Sequence, residues 1–282
     1  DLKTGHQPMP DSDGSAWAVY NGEIYNFKDI RSSLVSKGHV FRTGSDTEVL
    51  LAAYKEYGED CLSHFNGMFA FAIWDSVKES LFLARDRFGK KPLYYALCEN
   101  QFIFASELKA ILKHPAVRKE IDIEALKQYL AYEYIPSPRT IFKNLNKLPP
   151  ASKISIKRYK EANPEPYWDI DLRRKDRYDI QTAQETLRKM LKGSVEKRLV
   201  SDVPLGVFLS GGIDSSSVVA MMADLMPAHE IKTFSIGFKE ASYNESEDAR
   251  AVARHFGTDH REEILDPSVM LEVFPKILEY LD

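Results

Sequence analysis

Short apolar runs separated by turn residues fill the first half of the chain. The clearest runs are Met68–Trp74, Leu81–Ala84, Leu93–Leu97 and Gln101–Ala105. The connections between them are short, and short connections favour antiparallel neighbours over parallel strands joined by long crossovers. We therefore expect an antiparallel meander in a mixed α+β region.

The segment before these runs predicts two helices, one strand and one hairpin. Asn21-Gly22 lies between Ala16–Tyr20 and Glu23–Tyr25, and an Asn-Gly pair between apolar runs is the strongest short-range signal for a hairpin turn. Val40–Thr43 is a candidate strand. The expected helices run from Asn26 to Lys37 and from a capping box at Ser45–Glu48 to a stop at Gly58.

The second half has a different pattern, in which strands alternate with helices. Two prolines within Asn163–Pro166 break regular structure, so we place a linker there and expect two domains, residues 1–165 and 166–282. Alternating strands and helices predict a parallel α/β sheet in the second domain. Its expected elements are the helix Thr182–Leu199 with a capping box from Thr182 to Glu185, the strand Val207–Leu209, the loop Ser210–Ser215, the helix Ser216–Met226, the strand Thr233–Phe238, a helix from Asn244 to Gly257 and the strand Glu262–Leu265.

The composition excludes several classes of protein. A chain of 282 residues, 44% hydrophobic and 28% charged, is an ordinary globular sequence with room for two domains. The formal net charge of −4 provides no basic field for nucleic acid. No apolar run approaches the ~20 residues that a membrane span needs. Two cysteines are too few for a disulfide scaffold, so we expect a cytoplasmic protein.

Several polar residues are expected to be structural. The seven histidines form no zinc-binding motif, and His255 and His260 flank a helix end, where a positive charge is favoured. Arg85-Asp86-Arg87 fits either an ion network between domains or a salt bridge at a sheet edge.

One loop carries the residue types that bind phosphate. Ser210-Gly211-Gly212-Ile213-Asp214-Ser215-Ser216 lies between a buried strand and a helix start. The glycines let amide N–H groups crowd around an anion, and the positive end of the helix points to the same place. Asp214 would repel a phosphate unless a cation such as Mg²⁺ lies between them. The alternative is a plain strand–helix turn capped by Asp214 or Ser215, and the loop is neither a Walker A motif nor a dinucleotide-binding glycine motif.

This loop, with the residue before it, resembles the pyrophosphate loop of the N-type ATP pyrophosphatases. Together with Arg198–Gly206, it is similar to the synthetase domain of the glutamine-dependent asparagine synthetase family. The resemblance implies that ATP is cleaved to AMP and pyrophosphate, and that AMP activates the aspartate side chain as an acyl-adenylate. The ATP-binding residues that it implies are Leu209, Ser210, Gly211, Gly212, Asp214, Ser215, Ser216, Ile236 and Gly237, with Ser235 beside them and Asp214 holding Mg²⁺ through the pyrophosphate.

The first half resembles the class II glutaminase domain of the same family. The resemblance implies an α+β N-terminal-nucleophile sandwich, with antiparallel sheets between helices, followed by an α/β ATP pyrophosphatase domain with a parallel sheet. It also implies that Asn21 and Gly22 form an oxyanion hole and that Asn21, Gly22, Glu23 and Asp46 bind glutamine. The similar segments are Tyr20–Asn26, Thr43–Asp46, Phe65–Asp75, Ala84–Tyr95, Phe104–Lys109 and Tyr134–Pro138.

The residue types themselves suit this chemistry. An Asn amide and a neighbouring Gly N–H can donate two hydrogen bonds to a developing oxyanion. Carboxylates such as those of Glu23 and Asp46 can pair with the α-ammonium group of an amino acid. Taken in isolation, however, Asn21-Gly22 is a hairpin turn and Asp46 is a helix cap.

The chain departs from the family pattern at its start. The family nucleophile is a cysteine at the first residue of the mature protein, whereas this chain begins with Asp1. We therefore expect a fragment that lacks the start of the first domain and the end of the second, and that is inactive by itself. Cys61 and Cys98 have no surrounding motif that would activate a thiol, so we expect both to be structural.

The leading interpretation is an asparagine synthetase that takes its ammonia from glutamine. The nearest alternative is a related amidotransferase or lactam synthetase with another acceptor acid. An alternative from another class is a non-catalytic module that binds ATP or glutamine. The expected ligands are glutamine, aspartate, ATP and Mg²⁺, with no nucleic acid and no membrane, and the resemblance allows a homodimer.

Overall fold

The computed structural model describes residues 4–99, 101–157, 163–173, 175, 177–238 and 244–280, and the chain divides into two units after Arg173. The first unit contains two antiparallel sheets with helices, and the second contains a parallel sheet. The predicted fold class is therefore confirmed. No helix within the described ranges is both long and apolar enough to cross a membrane.

The first unit contains nine strands and five α-helices among its described residues. The strands are β1 (Met9–Pro10), β2 (Ala16–Ile24), β3 (Gly67–Asp75), β4 (Ser80–Arg85), β5 (Tyr94–Cys98), β6 (Gln101–Ala105), β7 (Leu145–Lys147), β8 (Ser152–Lys157) and β9 (Glu165–Pro166). The helices are α1 (Phe27–Ser36), α2 (Asp46–Tyr57), α3 (Cys61–His64), α4 (Leu108–Ile111) and α5 (Ile123–Tyr132). The larger sheet has the order β1-β2-β3-β4-β8-β9, and the smaller has the order β6-β5-β7.

The sheets stack between helices, because β3 contributes side chains to a separate core on each of its two faces. Its side chains alternate between two faces. Phe69 and Phe71 belong to the core that includes residues of α1 and α2. Ala70 and Ala72 belong to a second core, which also includes residues of β4 and β8 and is packed by aromatic side chains of β5 and β6. A third core joins the smaller sheet to α4.

The predicted hairpin at Asn21-Gly22 is wrong, because β2 runs through both residues. It pairs with β3 along its whole length, from Ala16 opposite Asp75 to Ile24 opposite Gly67. Pairing with a distant strand has overridden the local turn signal. Glycine is required at position 22 for a different reason: a Cβ there would overlap the Met68 carbonyl oxygen and lie 2.6 Å from the Phe69 Cα.

Two other predictions about the first unit are wrong. Residues 40–43 are not a strand, because the Glu48 carboxylate accepts hydrogen bonds from the backbone N–H groups of Arg42 and Thr43, both at 2.8 Å. The four apolar runs do not form one meander either. β3 and β4 pair in the larger sheet, whereas β5 and β6 pair in the smaller one. Ser45 does cap α2, accepting a hydrogen bond from the Thr47 N–H.

The loop that carries the chain from β4 towards the smaller sheet is built around Asp86. This carboxylate is only 1% exposed. Its Oδ1 accepts backbone N–H bonds from Phe88 (3.1 Å) and Lys90 (3.0 Å). Its Oδ2 accepts from Phe69 (3.1 Å) and Lys91 (3.0 Å). Four backbone donors therefore satisfy one buried charge.

Arg85 binds the backbone of the same region. Its guanidinium donates to the carbonyl oxygens of Gly89, Lys91 and Leu148, each at 2.7 Å. Burial lowers the pKa of Arg85 from its ordinary value. Arg85 and Asp86 thus hold backbone groups of a loop, a role that neither predicted arrangement anticipated.

The second unit contains α6 (Ile180–Arg198), β10 (Gly206–Phe208), α7 (Ile213–Ala223), β11 (Lys232–Phe238), α8 (Ser246–Phe256), β12 (Asp259–Leu265) and α9 (Pro267–Tyr280). The sheet order is β10-β11-β12, with both pairs parallel. Two side-chain cores pack α6, α7 and α8 on this sheet. The predicted cap at Thr182 is wrong, because Asp179 caps α6 and accepts hydrogen bonds from both the N–H and the hydroxyl of Thr182.

The buried carboxylate can be tested by Asp86→Asn. We expect this change to lower the free energy of unfolding of the first unit by roughly 3 kcal/mol, because an amide NH₂ would face backbone donors. The three tryptophans, Trp17, Trp74 and Trp168, all lie in this unit, so urea unfolding followed by tryptophan fluorescence reports on it.

Asp29→Asn is the matched control, since Asp29 is exposed in the first turn of α1. We expect it to change stability by no more than about 0.5 kcal/mol. If both variants unfolded at the same urea concentration, the role given to Asp86 would be wrong.

Candidate functional site

The first candidate site lies at the end of β2, where Asn21, Gly22 and Glu23 follow one another. Alternation along the strand places Asn21 and Glu23 on one face, and Tyr20 and Gly22 on the other. Asn21 lies opposite Ala70, which belongs to the core between the two sheets. The Asn21 side chain therefore projects towards the space between the sheets.

Asp46 of α2 binds the two residues that flank this triplet. Its Oδ2 accepts a hydrogen bond from the Tyr20 hydroxyl at 2.7 Å and another from the Ile24 N–H at 3.0 Å. Asp46 is the first residue of α2 and Ser45 is its cap, so the interpretation of Asp46 as a helix cap is wrong. The structure thus places Asp46, from a separate segment, against the strand that contains Asn21, Gly22 and Glu23.

The Tyr20 hydroxyl is held as a donor. Burial and the neighbouring Asp46 carboxylate raise the pKa of Tyr20 well above its ordinary value. The phenol therefore stays protonated at neutral pH and keeps its hydrogen bond to Asp46.

A cavity of about 300 Å³ opens beside Asn21. Its polar lining includes Gln7 and Ser106, two residues to which the sequence analysis gave no role. Asn21 Nδ2 donates to Ser106 Oγ at 3.4 Å, and Gln7 Oε1 accepts from the Tyr20 N–H at 2.6 Å. Ser106 belongs to the segment Phe104–Lys109, whose resemblance to the family was the signal that could have identified it.

The second candidate site is the loop after β10. The predicted start of the following helix at Ser216 is wrong, because α7 begins at Ile213 and Gly212 is its N-cap. Ser210 Oγ and Ser215 Oγ lie 3.0 Å apart, and the Gly212 N–H donates to Ser210 Oγ at 3.3 Å. The serines therefore hold the loop against the first turn of the helix.

Gly211 fixes this loop against α8. It has a φ of +82°, and a Cβ at this position would overlap the Asp248 Cβ and lie 2.7 Å from the Ala249 nitrogen. Any larger residue would have to push the loop away from α8. The close approach explains one of the two glycines of the motif.

Several groups around the loop suit an anion. The first turn of α7 directs backbone N–H groups without helical partners towards it. Ser216 Oγ is buried, with no hydrogen-bond partner in the described part of the chain.

Asp214 is exposed in the first turn of α7. Among the residues that the structure describes, no three His, Cys, Asp or Glu side chains form a ready-made metal site.

A cavity of about 230 Å³ adjoins the loop at the carboxyl ends of β10 and β11. It brings together Leu209, Ser210, Ser235 and Ile236 from the predicted set. Gly237 is not part of its lining, and a Cβ there would lie 2.8 Å from Asn244 Oδ1. The lining that the sequence analysis missed consists of Phe208, Phe234 and Glu245.

The remaining candidate nucleophiles and histidines are placed as structural residues. Cys61 is buried, and burial raises the pKa of its thiol to about 12, so it is protonated at neutral pH. Cys98 is half-buried at the end of β5. His260 lies 2.9 Å from the Thr233 hydroxyl and 3.3 Å from the Ser235 hydroxyl, which ties β12 to β11.

Two family models match the chain. That of the glutamine amidotransferase domain matches residues 1–168. That of asparagine synthase matches residues 186–282. The two matched regions lie in the order in which the candidate glutamine and phosphate sites occur.

Several curated relatives have similar sequence identities to this chain. Glutamine-hydrolyzing asparagine synthetase 1 of Bacillus subtilis is 37% identical, over 100% of this chain and 44% of that protein. Putative glutamine-hydrolyzing asparagine synthetase 2 of Methanocaldococcus jannaschii is 42% identical, over 86% of this chain and 47% of that protein. Amidase chyE of Penicillium rubens is 36% identical, over 91% of this chain and 40% of that protein. This chain spans about half the length of the curated relatives it matches.

Among solved structures, the glutamine phosphoribosylpyrophosphate amidotransferase of B. subtilis, complexed with ADP and GMP, is a distant match. It is 18% identical with a TM-score of 0.40, over 91% of this chain and 48% of that chain.

The contact between β2 and β3 at the first site can be tested by Gly22→Ala. The added Cβ would overlap the Met68 carbonyl oxygen, so we expect a loss of about 3 kcal/mol in the free energy of unfolding of the first unit. Gly44→Ala is the matched control, because a Cβ there has open space and we expect little change. Tryptophan fluorescence in urea compares them, and equal stability would show that position 22 tolerates a side chain.

Proposed function

Because this chain belongs to the glutamine amidotransferase domain family, we propose that its protein is an asparagine synthetase that hydrolyses glutamine. It would use ATP to activate the side-chain carboxylate of aspartate, and ammonia released from glutamine would supply the amide nitrogen. The observation that carries the proposal is that Asp46 binds Tyr20 and Ile24, on either side of Asn21, Gly22 and Glu23, and that a cavity lies beside Asn21. The asparagine synthase match and the phosphate loop supply the second half of the argument.

Glutamine would be bound and hydrolysed in the first unit, through a glutaminase domain that we propose spans residues 1–165. The Asn21 amide and the Gly22 N–H would donate hydrogen bonds to the oxyanion that develops on the glutamine side chain. Ser106 accepts one N–H of the Asn21 amide, which orients the other for this task. The carboxylates of Glu23 and Asp46 would pair with the α-ammonium group of glutamine.

ATP would be bound in the second unit, within an ATP pyrophosphatase domain that we propose spans residues 166–282. The buried Ser216 hydroxyl and the backbone N–H groups in the first turn of α7 fit phosphate oxygens. Leu209, Ile236 and the strand around Gly237 would hold the nucleoside. The proposed reaction cleaves ATP to AMP and pyrophosphate and leaves the aspartate side chain as an acyl-adenylate that ammonia can attack.

Mg²⁺ fits this site as an ion held mainly by phosphate oxygens. The exposed Asp214 carboxylate is the one protein ligand that we propose, since the described residues form no preassembled cluster of ligands. The ion would neutralise the charge of the pyrophosphate that leaves. Asp214 would place it beside the loop.

A second candidate function differs from the first in the acid that receives the amide nitrogen. The similarity to Amidase chyE, a relative that is not named for asparagine, supports an amidotransferase that modifies another acid. The glutamine and phosphate sites would be shared by both functions. The product therefore separates them, whereas either binding site alone does not.

The function can be tested with enzyme made from the complete reading frame, supplied with MgATP, aspartate and glutamine labelled with ¹⁵N in its side-chain amide. Mass spectrometry should find ¹⁵N in the amide of asparagine. Asp46→Asn should lower the rate with glutamine by about 30-fold, because a charge-assisted contact is lost, and should leave the rate with free ammonia unchanged.

Asp29→Asn serves as the control on α1 and should keep both rates. Absence of asparagine, with another acid amidated when it is offered, would favour the alternative function. Loss of both rates in Asp46→Asn would assign Asp46 to folding rather than to glutamine binding.

The phosphate site can be tested on the chain itself by calorimetry with MgATP. We expect Asp214→Asn to weaken binding by about tenfold, since the contact through Mg²⁺ loses its charge. Asp259→Asn is the matched control: Asp259 is exposed at the amino end of β12, whereas the loop lies at the carboxyl ends of the strands. Equal affinities of the two variants would remove Asp214 from the site.

A further inference from the structure

The cavity beside the phosphate loop is lined mainly by apolar side chains. Four of its lining side chains are apolar and large: Phe208, Leu209, Phe234 and Ile236. Two of them are exposed, Phe208 at 80% and Ile236 at 51%. Among the described residues of the lining, the one ionisable side chain is that of Glu245.

The backbone fixes the position of Glu245. It is the N-cap residue of α8, and its carbonyl oxygen accepts a hydrogen bond from the Ala249 N–H at 3.1 Å. The first turn of α8 also touches the phosphate loop, because Gly211 packs against Asp248 and Ala249. Glu245 therefore stands one helical turn from the residues that contact the loop.

The side chain of Glu245 is not used by the helix. It makes no capping hydrogen bond to α8, and it is exposed. In the described chain, no hydrogen bond or ion pair engages its carboxylate. A carboxylate at the wall of a pocket, held in place only by its backbone, is available to a ligand.

We propose that the Glu245 carboxylate accepts hydrogen bonds from the ribose hydroxyls of the nucleotide and makes the site selective for ribonucleotides over 2′-deoxyribonucleotides. This inference rests on the proposed binding of ATP at Ser210–Ser216. It adds a residue and a specificity that the family resemblance did not supply.

The charge of Glu245 decides which part of a nucleotide it can face. A carboxylate repels phosphates, so the phosphate end is excluded without a cation between them. The planar base suits the apolar surface of Phe208, Phe234 and Ile236. The sugar lies between base and phosphates, and its two neighbouring hydroxyls offer two donors to the two oxygens of one carboxylate.

The test compares the affinities of the chain for MgATP and for Mg-2′-deoxyATP by calorimetry. We expect the unmodified chain to prefer ATP by about tenfold, the size expected for one hydrogen bond to a charged group. Glu245→Ala should reduce that preference to less than twofold, mainly by weakening ATP binding. Because the side chain caps nothing, α8 should keep its fold, which circular dichroism checks.

Glu247→Gln is the matched control, an acidic residue in the first turn of α8 outside the cavity lining. It should keep the tenfold preference. A tenfold preference that survives Glu245→Ala, or equal binding of the two nucleotides by the unmodified chain, would overturn the role of Glu245 and leave the ATP site standing. Failure to bind either nucleotide would instead contradict the proposed function, and this inference with it.

Discussion

The first unit depends on a single buried carboxylate. Asp86 makes hydrogen bonds through its side chain to four backbone N–H groups. Its own N–H donates to the Phe69 carbonyl oxygen at 2.8 Å, and its carbonyl oxygen accepts from the Ala151 N–H at 2.9 Å. A buried charge without these donors would be very costly, so the loop and the burial of Asp86 have to form together. One residue thereby joins β3, the end of β4 and the approach to β8.

This constraint reaches the candidate glutamine site through β3. Phe69, which Asp86 holds, lies opposite Gly22 in the paired strands. The pairing of β2 with β3 leaves no room for a side chain at Gly22. It leaves none at Gly67 on β3 either, where a Cβ would lie 2.9 Å from the Ile24 Cα. The position of the proposed oxyanion donors is therefore set by backbone packing. A change in the Asp86 loop would therefore reach Gly22 through the backbone of Phe69.

The sequence predicted the parts of the structure that depend on local signals. The alternating strands and helices of the second unit gave the parallel sheet, and the cap at Ser45 is where the pattern placed it. The errors have two causes: pairing with a distant strand, and hydrogen bonds to side chains nearby in sequence. Nine residues of pairing between β2 and β3 override the turn signal of Asn21-Gly22. The strand expected at residues 40–43 does not form, because Arg42 and Thr43 donate their backbone N–H groups to the Glu48 carboxylate. No pattern within a short window contains the strand partner that decides the first case, whereas Glu48 lies only six residues after Arg42.

The two sites differ in the same way, and this explains why one could be interpreted from chemistry and the other needed a resemblance. The phosphate loop is one continuous segment, so its glycines, serines and Asp214 indicate a phosphate site as soon as they are seen together. The candidate glutamine site draws on β2, α2 and Ser106, which meet only after the larger sheet has formed. Taken alone, Asn21-Gly22 indicates a turn and Asp46 a cap. Their proposed role rests on a tertiary arrangement, and the sequence encodes that arrangement indirectly, through residues such as Gly22 and Asp86 that make the strands pack as they do.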